Sequence, residues 1–174
     1  MWQLREETPG DRQPIHDLNC LAFGGADEAE LVDHLRAAGD VITSIVAVDD
    51  DTVVGHILFS EMTVEGAGRT VRAAALAPMA VHPARQRSGI GSALVRYGLE
   101  ICRARGVPAV IVLGHENYYP RFGFSAAKAA RLLAPFSGPA FMALDLADGV
   151  LDDLEGAVRY PPAFGLDELP PGSG

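Results

Sequence analysis

A glycine-rich turn near the middle of the chain has the residue types that bind phosphate groups. Residues 86 to 92 are Gln-Arg-Ser-Gly-Ile-Gly-Ser, and they separate a predicted strand from a predicted helix. The first turn of a helix presents free backbone N–H groups and the positive end of the helix dipole. Gly89 and Gly91 leave those donors accessible to an anion, while Arg87 adds charge and Ser92 a hydroxyl. The segment therefore predicts a phosphate or pyrophosphate site.

Two common phosphate-binding loops do not fit this turn. The dinucleotide fingerprint requires a third glycine three residues after the second, and this position is Leu94. A nucleoside triphosphate loop requires Gly-Lys followed by Ser or Thr, and the only lysine of the chain is Lys128. Another class of phosphate ligand is therefore expected.

The distribution of charge also favours a small polyanion. The chain has 14 Lys and Arg against 23 Asp and Glu, a net charge of −9, which argues against binding to nucleic acid or an anionic membrane. Residues 85 to 121 nevertheless contain six arginines and only two acids. A local positive field within an acidic protein is suited to a phosphorylated small molecule.

The elements that position the turn follow from hydrophobic periodicity. Thr8, followed by Pro9 and Asp11, predicts a helix start, and a second helix is expected from Asp27 to Gly39. Residues 72–113 have the order strand, tight turn, helix, strand, and such a crossover predicts that the two strands run parallel. Further strands are predicted at 2–6, 41–48, 52–64 and 141–146, and the helix after the turn at 90–105.

The chain is expected to form one domain over residues 1–160, followed by a Pro- and Gly-rich tail at 161–174. It has no apolar run of the ~20 residues that span a bilayer and no signal-peptide pattern at its start, so a cytoplasmic protein is predicted. Cys20 and Cys102 are interpreted as reduced thiols.

Two motifs together indicate a family. Residues 76–83, Leu-Ala-Pro-Met-Ala-Val-His-Pro, followed by Gln86-x-x-Gly89-x-Gly91, resemble the acetyl-CoA-binding motif of the GNAT superfamily of N-acetyltransferases. Residues 119–124, Tyr-Pro-Arg-Phe-Gly-Phe, resemble that family's Tyr-x-x-x-Gly-Phe segment, at the family's spacing. The resemblance implies an α/β fold: a mixed, mostly antiparallel central sheet with a splayed parallel pair and helices on both faces.

The resemblance also implies the co-substrate, acetyl-CoA, with no metal. The gap between splayed strands leaves backbone groups that an extended, amide-bearing ligand can satisfy. Pro78 in mid-strand, which lacks a ladder donor, fits such a gap. The implied contacts to pantetheine are the main chains of Met79, Ala80 and Val81, and those to the pyrophosphate come from Gln86, Arg87, Ser88, Gly89, Ile90, Gly91 and Ser92.

The resemblance gives Tyr119 a place near the cofactor sulfur, where a phenol can protonate or hydrogen-bond the leaving thiolate. The sequence departs from the family pattern at one position: the resemblance implies an asparagine about seven residues before the tyrosine, whereas Asn117 lies two residues before Tyr119. A general base is less defined. Glu61 late in a strand is the candidate, although it also fits the polar end of that strand, and His82, His115 and Glu116 follow the crossover strands.

The predicted reaction is the transfer of acetyl from acetyl-CoA to a primary amine of a small molecule or peptide, by direct attack with both substrates bound together. The sequence does not identify the amine acceptor, and it leaves the oligomeric state, a homodimer included, open. The alternatives are a catalytically silent acyl-CoA-binding sensor or structural domain and, less favoured, another phosphate-binding module.

Overall fold

In the computed structural model, which describes residues 1–166, eight strands form one mixed sheet. The strands are β1 Gln3–Glu6, β2 Val41–Asp49, β3 Thr52–Gly66, β4 Arg69–Val81, β5 Ala109–Leu113, β6 Leu132–Leu133, β7 Phe141–Asp145 and β8 Gly156–Arg159. The strand order is β1-β2-β3-β4-β5-β7, and β8 pairs with both β3 and β6. All described pairings among these strands are antiparallel except β4 with β5 and β6 with β8. The predicted fold class is confirmed.

The helices agree closely with the periodicity of the sequence. The longer ones are α1 Arg12–Phe23, α2 Asp27–Ala38 and α3 Ile90–Ala104, and α4 Ala126–Ala129 is a single turn. At the start of α1 a 3₁₀ turn intervenes, in which Asp11 accepts hydrogen bonds from the backbone N–H and the hydroxyl of Thr8. None of the described helices is both long and apolar enough to cross a bilayer.

The chain divides into two compact units. The first comprises Met1–Ser60 and Ala77–Cys102, and the second comprises Glu61–Leu76 and Arg103–Gly174. The expectation of one domain over residues 1–160 stays a prediction. Of the expected tail, residues 167–174 lie outside the described residues, while Pro162–Phe164 form a 3₁₀ turn.

In the first unit, β3 is covered on both faces. Side chains alternate along a strand, so Gly55 and Phe59 point to one face and His56 to the other. Gly55 lies under Ile90 of α3, and a Cβ built on Gly98 of the same helix would meet the Phe59 ring at 2.1 Å. On the opposite face, His56 contacts Asn19 of α1. The absence of side chains at these two glycines lets α3 approach the strand closely.

In the second unit, the parallel pairing joins Ala74 to Val110 and Ala75 to Ile111, and β5 pairs on its other side with β7. The hydrophobic core of this unit is built from small and β-branched residues of these strands together with side chains from the segment after β5. Members of that core include Ala73, Ala75, Ala109, Ile111, Leu132, Phe141, Leu151 and Val158. The sequence analysis did not predict β6 and β8. Strand β6 has only two residues, too few to show alternation, and β8, Gly-Ala-Val-Arg, contains a single β-branched residue.

A polar cluster is buried inside the first unit. His56 is completely buried; its Nε2 lies 2.8 Å from the Ser44 hydroxyl and its Nδ1 lies 3.2 Å from Asn19 Nδ2. Since Nδ2 of Asn19 can only donate, His56 Nδ1 accepts from it, and this network assigns the ring proton to Nε2. Burial lowers the pKa of His56 to about 3, with a smaller contribution from the Arg36 guanidinium. The imidazole is therefore neutral in the folded protein.

We expect His56 to make the folded protein acid-sensitive. The folded state does not protonate His56 until about pH 3, whereas an unfolded histidine titrates near 6.5. Between these two pH values the unfolded state therefore binds one proton more than the folded state. As the pH falls through this window, His56 lowers the free energy of unfolding by up to about 1.4 kcal/mol per pH unit, and above the window it has no effect. Urea denaturation from pH 7.5 to 4.5 should show a shallower pH dependence in His56→Gln than in the parent. The exposed His34→Gln variant is the control, and equal slopes for parent and His56→Gln would contradict the assignment.

Candidate functional site

The predicted turn lies at the surface, directly after β4. Ala80 is buried, and Met79 and Val81 are half-buried at the end of that strand. The strand continues into a 3₁₀ turn over Pro83–Arg85, and residues 86–89 are exposed before α3 begins at Ile90. The structure therefore brings together all ten residues predicted for the cofactor on one strand–turn–helix segment.

The backbone of the turn adopts a conformation that most residues avoid. Gly89 has φ +88 and Arg87 has φ +64, both in the left-handed region. A non-glycine residue in this region costs on the order of 1 kcal/mol or more and is held there by its surroundings. A Cβ built on Gly89 would find no heavy atom within 4 Å among the described residues. The space over the turn is open to a ligand.

The start of α3 supplies donors beside this space. The N–H of Ala93 donates to the carbonyl of Gly89 at 3.1 Å, and this bond begins the helical ladder. In a helix, N–H groups that precede the ladder point out of the N-terminus and carry its partial positive charge. Together with the exposed side chain of Arg87, they form an environment for an anion.

Hydrogen bonds tie the turn to the strands below it. The N–H of His82 donates to Val54 O of β3 at 2.8 Å, and the Gln86 side chain donates to Val81 O at 3.3 Å. The N–H of Arg85 donates to His82 O, and the Ser88 hydroxyl donates to Arg85 O. The turn is thus organised before any ligand arrives, which is how a site avoids the cost of ordering a loop on binding.

Tyr119 lies in the second unit at the start of a 3₁₀ turn over Tyr119–Phe122. Its ring is packed edge-on against Phe124 and Tyr118, and a Cβ on Gly114 would come within 2.4 Å of it. Burial raises the pKa of Tyr119 to about 12, with a smaller contribution from Tyr118. The phenol therefore stays protonated at neutral pH, the state required of a proton donor.

A cavity of about 530 Å³ borders the segment that precedes and follows Tyr119. Glu116, Asn117 and Ser125 supply its polar side chains, and Phe124, Pro139 and Met142 are among its apolar residues. Glu116, Asn117 and His115 are exposed. Asn117 directly precedes Tyr118 and the 3₁₀ turn over Tyr119–Phe122, so a cofactor contact from Asn117 stays untested.

Glu61, the candidate base, is engaged with another side chain. Both of its carboxylate oxygens accept from Arg72, at 2.5 and 3.0 Å, and its side chain is 38% exposed. Glu61 lies inside β3, which continues to Gly66, and not at the polar end of a strand. A role as base would require the ion pair with Arg72 to open. Within residues 1–166, no group of three or more His, Cys, Asp or Glu side chains is arranged to hold a metal ion.

The sequence matches a family model and several known proteins. A model described as an acetyltransferase (GNAT) domain matches residues 3–127. The chain is 34% identical over 164 residues to YhbS of Escherichia coli K12, which covers 92% of this chain and 97% of that relative. It is 40% identical over 116 residues to YjhQ of the same strain, covering 66% of this chain but only 64% of that relative, less than two thirds of its length. Both relatives are named uncharacterized N-acetyltransferases.

Solved structures give the same relationship in three dimensions. The crystal structure of E. coli YhbS in complex with CoA superposes with a TM-score of 0.86 at 33% identity, covering 97% of this chain and 94% of that one. A GNAT family acetyltransferase from Brucella melitensis, in complex with acetyl-CoA, has a TM-score of 0.78 at 34% identity, covering 94% and 98%.

The open space over Gly89 leads to a prediction about anion binding. Gly89→Glu places a carboxylate where the anion should lie, so we expect the affinity for inorganic pyrophosphate to fall by about tenfold or more. Amide chemical shifts of residues 86–92 during a pyrophosphate titration measure this. Gly68→Glu is the matched control, because Gly68 also has a positive φ (+81) and open space around it but lies between two strands. Equal loss in both variants would place the anion elsewhere.

Proposed function

Because this chain belongs to the GNAT acetyltransferase family, we propose that it transfers the acetyl group of acetyl-CoA to a primary amine of a small molecule or peptide. The amine nitrogen attacks the thioester carbon directly while both substrates are bound; a C–N bond forms, the C–S bond breaks, and coenzyme A leaves as a thiol. The protein accelerates the reaction by positioning the substrates and by supplying proton transfer.

The single observation that carries this proposal is the strand–turn–helix segment around Gly89. The open space over Gly89, the N-terminus of α3 and the exposed Arg87 fit a pyrophosphate, and related proteins with the same fold are bound to CoA and acetyl-CoA. We assign the pyrophosphate to residues 86–92. The pantetheine arm is assigned to the main chain of Met79, Ala80 and Val81, of which the carbonyl of Val81 already accepts from Gln86.

Tyr119 is proposed to stabilise the leaving sulfur through its phenol O–H. Its pKa of about 12 keeps the phenol protonated at neutral pH. Because a thiol is a stronger acid than this phenol, Tyr119 stabilises the developing thiolate chiefly by donating a hydrogen bond to it. The packing of the ring against Gly114 and Phe124 fixes the phenol without requiring a second hydrogen-bonding residue to orient it. Its function is then to stabilise charge that exists only late in the reaction.

The incoming amine must lose a proton before it can attack. Glu61 remains the proposed base, acting after its ion pair with Arg72 opens. Exposed Glu116, which borders the cavity near Tyr119, gives a second carboxylate to test. The net charge of −9 favours cationic acceptors in either case.

A turnover measurement distinguishes an enzyme from the alternative of a catalytically silent acyl-CoA-binding sensor. A panel of primary amines, from polyamines to amino-terminal peptides, is incubated with acetyl-CoA, and free thiol is measured with and without each amine. We expect amine-dependent thiol release together with an acetylated product in mass spectrometry. Tight binding of acetyl-CoA with no turnover across the panel would support the sensor and contradict the proposed reaction.

The Tyr119→Phe variant tests the proton donor. It keeps the ring and its packing, so the affinity for acetyl-CoA should change little, while kcat should fall by about 10²–10⁴-fold, as for a lost general acid. In the parent, kcat should not decrease with rising pH through ionisation of this phenol below about pH 11, because its pKa is raised. Stopped-assay kinetics from pH 6 to 10 measure kcat and its pH dependence in the parent and in Tyr119→Phe.

Tyr118→Phe is the matched control, since Tyr118 is adjacent and lies in edge contact with the same ring. It should retain the parental kcat. If Tyr119→Phe also retains it across several acceptors, Tyr119 takes no part in the proton transfer.

A further inference from the structure

Asp49 lies at the end of β2, in a position that the hairpin determines. It pairs with Thr52 across a two-residue connection, and Asp50 and Asp51 close the turn with φ values of 47 and 61. The side chain of Asp49 is only 11% exposed, unlike that of a typical acid in a surface turn. The hairpin therefore holds this carboxylate in one place.

The carboxylate of Asp49 binds Arg85, just ahead of the phosphate-binding turn. Arg85 Nη2 lies 2.6 Å from Asp49 Oδ2, and Oδ1 accepts from the amino group of Met1 at 3.2 Å. The Arg85 guanidinium, and to a smaller extent that amino group, lowers the pKa of Asp49. Asp49 is therefore anionic throughout the neutral range, so both partners of the ion pair keep their charges there.

The backbone of Arg85 belongs to the turn itself. Its N–H donates to His82 O at 2.8 Å, and its carbonyl accepts the Ser88 hydroxyl. Arg85 thus joins the hairpin, through its side chain, to the segment that carries Arg87 and Gly89, through its main chain. The left-handed φ of Arg87 is the kind of conformation that persists only where neighbouring contacts determine it.

We propose that Asp49 is a positioning residue for the co-substrate: through Arg85 it holds residues 86–89 in the conformation that receives the pyrophosphate. This rests on the proposed function, in that the anion is the pyrophosphate of acetyl-CoA. From sequence, Arg85 and Arg87 appear as an equivalent pair of cations flanking the turn. The structure separates them, because Arg85 is paired with Asp49 whereas Arg87 makes no ion pair within residues 1–166.

The sign of the mutational effect distinguishes positioning from simple charge. An acid near an anion site repels the anion, so removing its charge tightens binding if nothing else changes. Removing an acid that holds the turn in shape weakens binding, despite the more favourable field. The two interpretations of Asp49 therefore predict opposite changes in affinity for coenzyme A.

The first experiment compares Asp49→Asn with Asp51→Asn by calorimetry with coenzyme A. Both substitutions remove one charge from the same hairpin, and Asn tolerates the left-handed conformation of position 51. Asp49→Asn should lower the affinity for coenzyme A by about three- to tenfold. Asp51→Asn should leave this affinity unchanged or raise it slightly. Pantetheine, which lacks the pyrophosphate, should bind all three proteins equally. In turnover, Asp49→Asn should raise KM for acetyl-CoA and leave kcat unchanged.

Arg85→Gln and the double variant test the route of the effect. If Asp49 acts through Arg85, Arg85→Gln should weaken the binding of coenzyme A by a similar factor, and Asp49→Asn should cause no further weakening in that background. If Arg85 instead contacted the phosphate directly and Asp49 only competed for it, Asp49→Asn alone would tighten binding while Arg85→Gln weakened it.

A ligand-free measurement separates this inference from the proposed function. Amide resonances of residues 86–89 should shift in Asp49→Asn and Arg85→Gln but not in Asp51→Asn. A parent that binds no coenzyme A would overturn the proposed function, whatever these resonances show. Unchanged resonances in Asp49→Asn, or an affinity equal to or tighter than that of Asp51→Asn, would overturn the positioning role.

Discussion

The candidate site depends on keeping the backbone N–H groups at the start of α3 open to an anion. Donors at a helix terminus would otherwise be satisfied by a side-chain cap or by water. Here the preceding turn takes left-handed conformations at Arg87 and Gly89, and the space over Gly89 is open. A strained, exposed turn of this kind persists only where the surrounding structure holds it.

The turn is held by β3 and the elements packed on it. Glycines at 55 and 98 let α3 lie close to the strand, and the bulky Phe59 fills the space that Gly98 leaves. On the other face, the neutral imidazole of His56 spans Ser44 and Asn19. Close packing on one side and a hydrogen-bonded polar network on the other resist small displacements of the strand from which Val54 supports the turn.

The proposed binding of the anion and the proposed stabilisation of the leaving sulfur make different demands on the protein. The turn offers main-chain N–H groups and a guanidinium, whose charge does not depend on pH. Burial keeps the phenol of Tyr119 protonated, so that it can donate a hydrogen bond to charge that develops beside it. The arginines divide further: Arg87 is exposed at the turn, Arg85 is held by Asp49, and Arg72 is held by Glu61. A count of positive charges along the sequence treats these three as equal.

The sequence by itself determined the elements and the segment proposed to bind the anion. The β-branched residues of β2, the helical spacing from Ile90 and the glycines at 89 and 91 are local signals, set by the backbone preferences of neighbouring residues. What tertiary structure decided is which partners those residues meet. Nothing local pairs Asp49 with Arg85, 36 residues away, or buries Tyr119 against Gly114 and Phe124. Such contacts, and the charge states they impose, arise from the folding of distant segments onto each other, which periodicity within one segment does not encode.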